Sequence, residues 1–230
     1  MPDDVTALQL VLTADPTLLA IVRLSLIVSL SAVFLASLLG VPLGALIALV
    51  RFRGREGVIV ILNALMGLPP VVVGLAVYLT LSRSGPLGGW GLLFTPQAMV
   101  VAQTMLVLPI IAALTRQTVE DLWIEYRDEL TAMNVGPLGR VATLIWDARF
   151  SLVMALLAGF GRAAAEVGAI IIVGGNIEGF TRTMTTAIAL ETSKGDLPLA
   201  IGLGIVLLAI VIAVNALAWT ARRAGERLAG

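Results

Sequence analysis

Four long runs without a single charged residue constrain the fold of this chain more than any other feature. They cover residues 24–50, 57–82, 84–115 and 197–221. A fifth apolar stretch, 150–177, is interrupted only by Arg162 and Glu166. About 20 mostly apolar residues in a helix cross the hydrocarbon core of a bilayer. We therefore predict five transmembrane helices, near residues 19–50, 58–81, 96–116, 149–174 and 198–220.

The composition supports a membrane protein and excludes several kinds of chemistry. Charged residues make up 13% of the chain, whereas a soluble domain has about 25%. The chain has no histidine and no cysteine, which excludes a zinc finger, a thiol nucleophile and a Ser-His-Asp triad. The net charge is zero, which argues against a nucleic-acid partner. We expect an all-α integral membrane protein that is not an enzyme and holds no metal or cofactor.

The positions of the basic residues predict the orientation in the membrane. Ten of the fifteen Lys and Arg residues fall after predicted helices 1, 3 and 5, and four fall on the other side. Basic residues favour cytoplasmic loops, so we expect the N-terminus outside and the C-terminus in the cytoplasm. The predicted chain begins with an extracytoplasmic lead-in, 1–18, and ends with a cytoplasmic tail, 221–230. Between them lies a single transmembrane domain, 19–220, with a cytoplasmic loop at 117–148 and an outer loop at 175–197.

The predicted cytoplasmic loop at 117–148 contains a helical pattern. Leu122, Tyr126, Leu130 and Met133 recur at spacings of four, four and three, which places them on one face of a helix. Asn134 or Gly136 is suited to the left-handed conformation that ends a helix, and Pro137 blocks continuation. Two interpretations remain open: a solvated surface helix joining helices 3 and 4, or a helix that docks into a groove of a cytoplasmic partner.

The same loop carries a family resemblance. Residues 128–137, DELTAMNVGP, resemble the EAA loop of binding-protein-dependent ABC importer permeases, with Asp128 at the family glutamate and Asn134 at the family glycine. Glu129 and Leu130 stand where the family has alanines. Further runs at 67–74, 82–88 and 159–176 are similar to tungstate and molybdate importer permeases. The resemblance implies a type I-like fold with ATPase-coupling residues Tyr126, Asp128, Glu129, Leu130, Met133, Asn134, Gly136 and Pro137.

The resemblance also implies partners and a function. Such permeases form homodimers in the cell membrane, bind a cytoplasmic ABC ATPase and receive an oxyanion from an extracytoplasmic binding protein. The 230 residues contain no phosphate-binding loop motif, so ATP hydrolysis is expected on another chain. Tungstate, or alternatively molybdate, is the expected solute. A permease of the same architecture for sulfate, phosphate or methionine is the alternative.

Six residues are candidates for the translocation path or its gate. Arg162 and Glu166 lie four apart within an apolar stretch, where charges are costly, and either fix helix packing or gate an anion path. Pro69 and Pro70 remove backbone donors and are expected to kink helix 2. Asn176 and Thr183 belong to the outer loop, which forms either a re-entrant helix near the pore or a simple exposed loop.

Two functions of other classes are disfavoured. An intramembrane enzyme requires paired carboxylates or a Ser/Lys dyad, but the deep ionisable pair is one Arg and one Glu. A secondary transporter is expected to show inverted repeats, and five spans do not divide into two such halves.

Overall fold

Helices account for most of the structure. The computed structural model describes residues 7–13 and 15–229, with side chains for 10–13 and 15–220, and these residues form no strand. Residues 1–6 and 14 of the predicted lead-in, and the side chains of the predicted tail, lie outside the described residues. The helices are α1 (Ala7–Leu12), α2 (Pro16–Leu49), α3 (Arg55–Met66), α4 (Pro70–Leu81), α5 (Pro96–Ala132), α6 (Pro137–Asp147), α7 (Arg149–Ala164), α8 (Gly168–Gly174), α9 (Met184–Lys194) and α10 (Leu197–Ala229).

Three helices are long and apolar enough to cross a membrane without a break. They are α2, α5 and the part of α10 up to Thr220. Two bent pairs raise the number of candidate spans to five: α3 with α4, at 99°, and α6 with α7, at 70°. The prediction of an all-α protein with several membrane spans is confirmed. The helix predicted at 96–116 is longer than expected, because α5 continues to Ala132 and includes half of the 117–148 segment.

Two of the predicted helices are broken. The helix predicted at 58–81 divides between Met66 and Pro70, because Pro70 has no N–H to continue α3 and instead begins α4. The helix predicted at 149–174 ends at Ala164 and resumes at Gly168. In this second break the Glu166 carboxylate accepts a hydrogen bond from a backbone N–H in the first turn of α8.

The central contact of the fold is the packing of α2 against α5. The face of α2 toward α5 has a small residue at every fourth position, and all of them are buried: Ala32, Ala36, Gly40, Gly44 and Ala48. Small side chains let two helix backbones approach closely where the lipid supplies no hydrophobic driving force. The pair of long helices thereby forms the scaffold on which α7 and the shorter helices pack.

Gly44 lies at the closest approach of these two helices. A Cβ atom there would meet the Ala112 carbonyl oxygen, and would lie 2.9 Å from both Arg116 N and Thr115 Cβ. We expect Gly44→Ala to destabilise the protein by about 1–3 kcal/mol, because the α5 backbone must move. The thermal unfolding midpoint in detergent measures this. Gly57→Ala is the matched control, since its Cβ would meet no atom within 4 Å; equal midpoints for the two variants would contradict the prediction.

Candidate coupling and translocation site

The turn between α5 and α6 forms the tip of the 117–148 segment. Met133 N–H donates to the Glu129 carbonyl at 2.9 Å, and Val135 N–H donates to the Leu130 carbonyl at 3.0 Å. Asn134 has φ +50°, so Asn134 rather than Gly136 takes the left-handed conformation. Gly136 is extended, and Pro137 is the first residue of α6. Pro137 therefore begins a new helix at the position where its missing N–H costs least.

One side of this segment packs inside the chain. Leu130 is buried in a cluster with Ala45, Val119 and Leu144, and Tyr126 packs against that cluster. These residues hold the end of α5 against α2 and α6. Of the eight predicted coupling residues, Tyr126 and Leu130 thus have contacts that account for them without a partner protein.

The other six predicted coupling residues are exposed at the tip. They are Asp128, Glu129, Met133, Asn134, Gly136 and Pro137. Met133 is 74% exposed, and its neighbour across the turn, Leu138, is 87% exposed. Helical spacing groups Leu138 with Val141 and Ile145, which pack inward, so the sequence gives no signal that Leu138 is exposed. We call these six residues and Leu138 the candidate docking surface.

A second group of residues joins the two helix breaks. Arg162 Nη2 lies 3.9 Å from Glu166 Oε2 and donates to the Leu68 carbonyl at 3.4 Å. Leu68 precedes Pro69 and Pro70 in the α3–α4 break, and Glu166 lies in the α7–α8 break. Arg162 and Glu166 lie four apart in the sequence, but they do not share a helix, because Glu166 lies beyond the end of α7. The guanidinium group therefore bridges two interruptions of the backbone.

Side chains from α5 and α9 satisfy the polar groups that the α7–α8 break leaves open. Gln103 Nε2 donates to the Ala163 carbonyl at 2.8 Å, and Thr185 Oγ1 donates to the Glu166 carbonyl at 2.7 Å. Glu166 Oε1 accepts the Ala169 N–H at 3.0 Å. Broken helices persist at membrane depth where other groups satisfy the freed backbone atoms. We call Gln103, Arg162, Glu166 and Thr185 the helix-break cluster.

Sequence reasoning missed Gln103 and Thr185. Gln103 was visible as a polar residue in the middle of the uncharged run at 84–115, a position where a buried amide requires a partner. Thr185 was one of several hydroxyl residues in the outer loop, and spacing did not distinguish it from its neighbours. Its contact with the Glu166 carbonyl depends on how α9 is placed.

Asn176 and Thr183 lie where α9 enters the bundle. Thr183 is buried and forms the N-cap of α9, with its N–H donating to Thr186 Oγ1 at 3.0 Å. Asn176 has φ +50°, and its Nδ2 donates to the Thr186 carbonyl at 3.4 Å. Thr183 Oγ1 also lies 3.4 Å from Thr185 Oγ1. Both residues position α9, and Thr183 connects α9 to the helix-break cluster.

A small cavity adjoins the helix-break cluster. Its polar lining comes from residues of α2, α5 and α9: Ser25, Ser29, Gln103, Thr183 and Thr185. Its volume is about 10 Å³, which is room for about one water molecule. This cavity is too small for a tetrahedral oxyanion.

The fold and these two sites define the class of protein. Long apolar helices, interrupted helices joined by a buried polar cluster, and an exposed helical tip are features found in membrane transport proteins. Comparisons with known proteins identify the family.

No protein-family model matches the chain, but curated relatives match most of its length. A probable anion ABC transporter permease protein of Haloferax volcanii is 44% identical over 87% of this chain and 88% of its own. Tungstate uptake system permease proteins of Peptoclostridium acidaminophilum and Campylobacter jejuni are 40% and 37% identical, over 93% and 91% of this chain and 94% and 87% of their own. The chain belongs to the family of ABC transporter permeases, which confirms the predicted resemblance and a multi-pass location in the cell membrane.

Proposed function

We propose that the chain is the membrane-spanning subunit of a tungstate importer. The observation that carries this proposal is the 40% and 37% identity to two tungstate uptake permeases over 93% and 91% of the chain. Molybdate and sulfate are dianions of the same tetrahedral shape, and they are the competing solutes that an experiment has to separate from tungstate.

In the proposed topology five spans place the N-terminus outside and the C-terminus in the cytoplasm. The distribution of charge supports it. Arg55 and Arg116 pair with Glu120 in the part of α5 beyond the predicted span, and Arg140 of α6 stacks on Trp123 of the same part at 5.4 Å. Arg182 and Lys194 lie around α9 and pair with Glu191. Basic residues are enriched on the cytoplasmic side of membranes and tryptophan at the interfaces, so the end with Arg55, Arg116, Arg140 and Trp123 is proposed to be cytoplasmic.

The docking surface is the proposed contact with a separate ABC ATPase, which hydrolyses the ATP. Met133 and Leu138 expose apolar side chains beside the carboxylates of Asp128 and Glu129. An exposed apolar pair at a helical turn, bordered by charge, suits insertion into a groove of a partner. The part of the segment that Leu130 and Tyr126 anchor would transmit the movement of the ATPase into the membrane helices.

The proposed translocation path runs between two copies of the chain. The cavity beside the helix-break cluster is too small for the oxyanion, so this cavity does not supply a path through a single chain. An extracytoplasmic binding protein would deliver the solute to the path between the two copies. The helix-break cluster is the proposed gate, because the contacts of Arg162, at 3.4 and 3.9 Å, are long and a small shift of α7 breaks them.

Reconstitution with the cognate ATPase and binding protein tests the proposed function. We expect the chain to co-purify with the ATPase and tungstate-loaded binding protein to stimulate ATP hydrolysis several-fold in proteoliposomes. Each of molybdate and sulfate is loaded in a parallel assay. Stimulation by sulfate but not by tungstate would identify the alternative solute, and failure of the ATPase to co-purify would overturn the importer proposal.

A further inference from the structure

Arg55, the first residue of α3, forms a cluster of charges near the docking surface. Its Nη2 donates to Glu120 Oε1 at 2.7 Å, and Arg116 Nη1 donates to the other oxygen of the same carboxylate. The side chains of Arg55 and Arg116 are largely buried. Glu120 lies on α5, two turns before Asp128. The carboxylate is thus held by one arginine of its own helix and by one arginine of α3.

Arg55 also joins α3 to the end of α2. Its Nε donates to the Ile47 carbonyl at 2.8 Å, and its Nη2 donates to the Ala48 carbonyl at 3.4 Å. These are carbonyls of the last turn of α2, where a cation is favoured by the helix dipole. One guanidinium group therefore connects α2, α3 and α5 at the end of the molecule that carries the docking surface.

The opposite end of α3 reaches the helix-break cluster. The Leu68 carbonyl, two residues after Met66, accepts from Arg162. Twelve helical residues span about 18 Å. The first residue of α3 is therefore hydrogen-bonded to Glu120, on the part of α5 that leads to the docking surface. Leu68, just beyond the end of α3, is hydrogen-bonded to Arg162 of the proposed gate.

Apolar contacts along one side also hold α3 against α5. Leu62 is buried and packs with Ala112 and Ala113 of α5, and the partly buried Ile59 and Met66 pack against the same cluster. These contacts recur at spacings of three and four residues, so they form one stripe along the helix. The polar contacts at the two ends add the connections to the end of α2, to Glu120 and to the helix-break cluster.

We propose that α3 transmits movement of the α5 end to the helix-break cluster, and that Arg55 and Glu120 are the positioning residues for this step. The inference rests on the proposed function. It adds a second route to the one through the α2–α5 scaffold and assigns a role to charges outside the EAA-like loop. Loss of Arg55 leaves the Arg116–Glu120 pair in place, so α5 keeps its own ion pair while its bond to α3 is lost.

The experiment measures tungstate transported per ATP hydrolysed in proteoliposomes that contain the complete complex. We expect Arg55→Met, which keeps an apolar stem without the charge, to co-purify with the ATPase and hydrolyse ATP, but to transport about tenfold less tungstate per ATP. Arg53→Met is the matched control, because Arg53 is exposed two residues earlier and loses the same charge. Arg55→Lys is expected to restore part of the ratio.

The outcomes separate this inference from the proposed function. A wild-type ratio in Arg55→Met overturns the inference and leaves the importer intact, whereas absence of the ATPase from the wild-type complex overturns the proposed function. If Arg55→Met does not assemble, Glu120→Ala is the second variant, because it removes the acceptor for Arg55, and a wild-type ratio there has the same meaning. Combining Arg55→Met with Arg162→Ala gives a further check: losses that do not add support a shared route through α3, and additive losses contradict it.

Discussion

Replacing Met133 by aspartate is expected to remove the ATPase from the purified complex and to abolish tungstate uptake. Met133 is 74% exposed at the tip of the α5–α6 turn, so its side chain contributes little to the fold of the chain itself. In the proposed complex it would be desolvated in a groove of the ATPase, where a new unpaired carboxylate costs several kcal/mol. The carboxylates of Asp128 and Glu129, two exposed neighbours, would add repulsion.

Ile124→Asp is the matched control for this prediction. Ile124 lies on α5 and is also 74% exposed, but it lies nine positions before Met133, the C-cap of α5, which places it on the opposite side of the helix. The measurement is the amount of ATPase that co-purifies with each variant at equal permease yield. Equal retention of the ATPase by Met133→Asp and the wild type would show that the tip is not the docking surface. Equal loss in both variants would point to a general effect of added charge.

Arg162→Ala is expected to lower tungstate transport by at least tenfold while the permease and ATPase still assemble. The Glu166 side chain is 4% exposed, and without Arg162 its described contacts reduce to the Ala169 N–H. An under-satisfied buried group costs about 1–3 kcal/mol, and the lower part of that range applies because Arg162 is itself 36% exposed. Transport falls because the bridge between the two helix breaks is lost.

A double variant separates gating from packing. Arg162→Met with Glu166→Gln removes both charges and leaves no unpaired carboxylate, so its thermal midpoint is expected to recover toward the wild-type value. If the pair acts as a gate, transport remains low in the double variant. Recovery of both stability and transport would assign the pair to helix packing alone, which is the alternative that the sequence left open.

The spacing of apolar residues predicted helices more reliably than it predicted helix ends. The regions near 19–50 and 198–220 form long helices as expected, because a run of 20 or more apolar residues has few other ways to satisfy its backbone in lipid. The spacing of apolar residues predicted a helix within 117–148, but not that this helix is continuous with the span at 96–116 and runs to Ala132 through six charged residues. Packing of Val119 and Leu130 against α2 and α6 holds that continuation.

The two helix breaks were predictable to different degrees. Pro69 and Pro70 predict the first break, because proline has no N–H to donate to the helix. No proline lies between Ala164 and Gly168, so the local sequence does not predict the second break. It depends on Gln103 and Thr185, which lie on other helices and donate to the carbonyls of the break. Gln103 lies 60 positions from Ala163 in the chain, and Thr185 lies 19 positions from Glu166. Contacts over such separations produce no local pattern in the sequence.

The sequence by itself determined that this protein lies in a membrane, that it is helical and that it is an ABC transporter permease. Those properties depend on local quantities: the length of apolar runs, the spacing of Leu130 and Met133, and the order of residues in the EAA-like segment at 128–137. Only the tertiary structure decided that Leu130 is buried while Met133 is exposed, and that α3 connects Glu120 to Arg162 through its two ends. Burial and long-range ion pairs depend on the relative placement of helices, which periodicity within one helix does not specify.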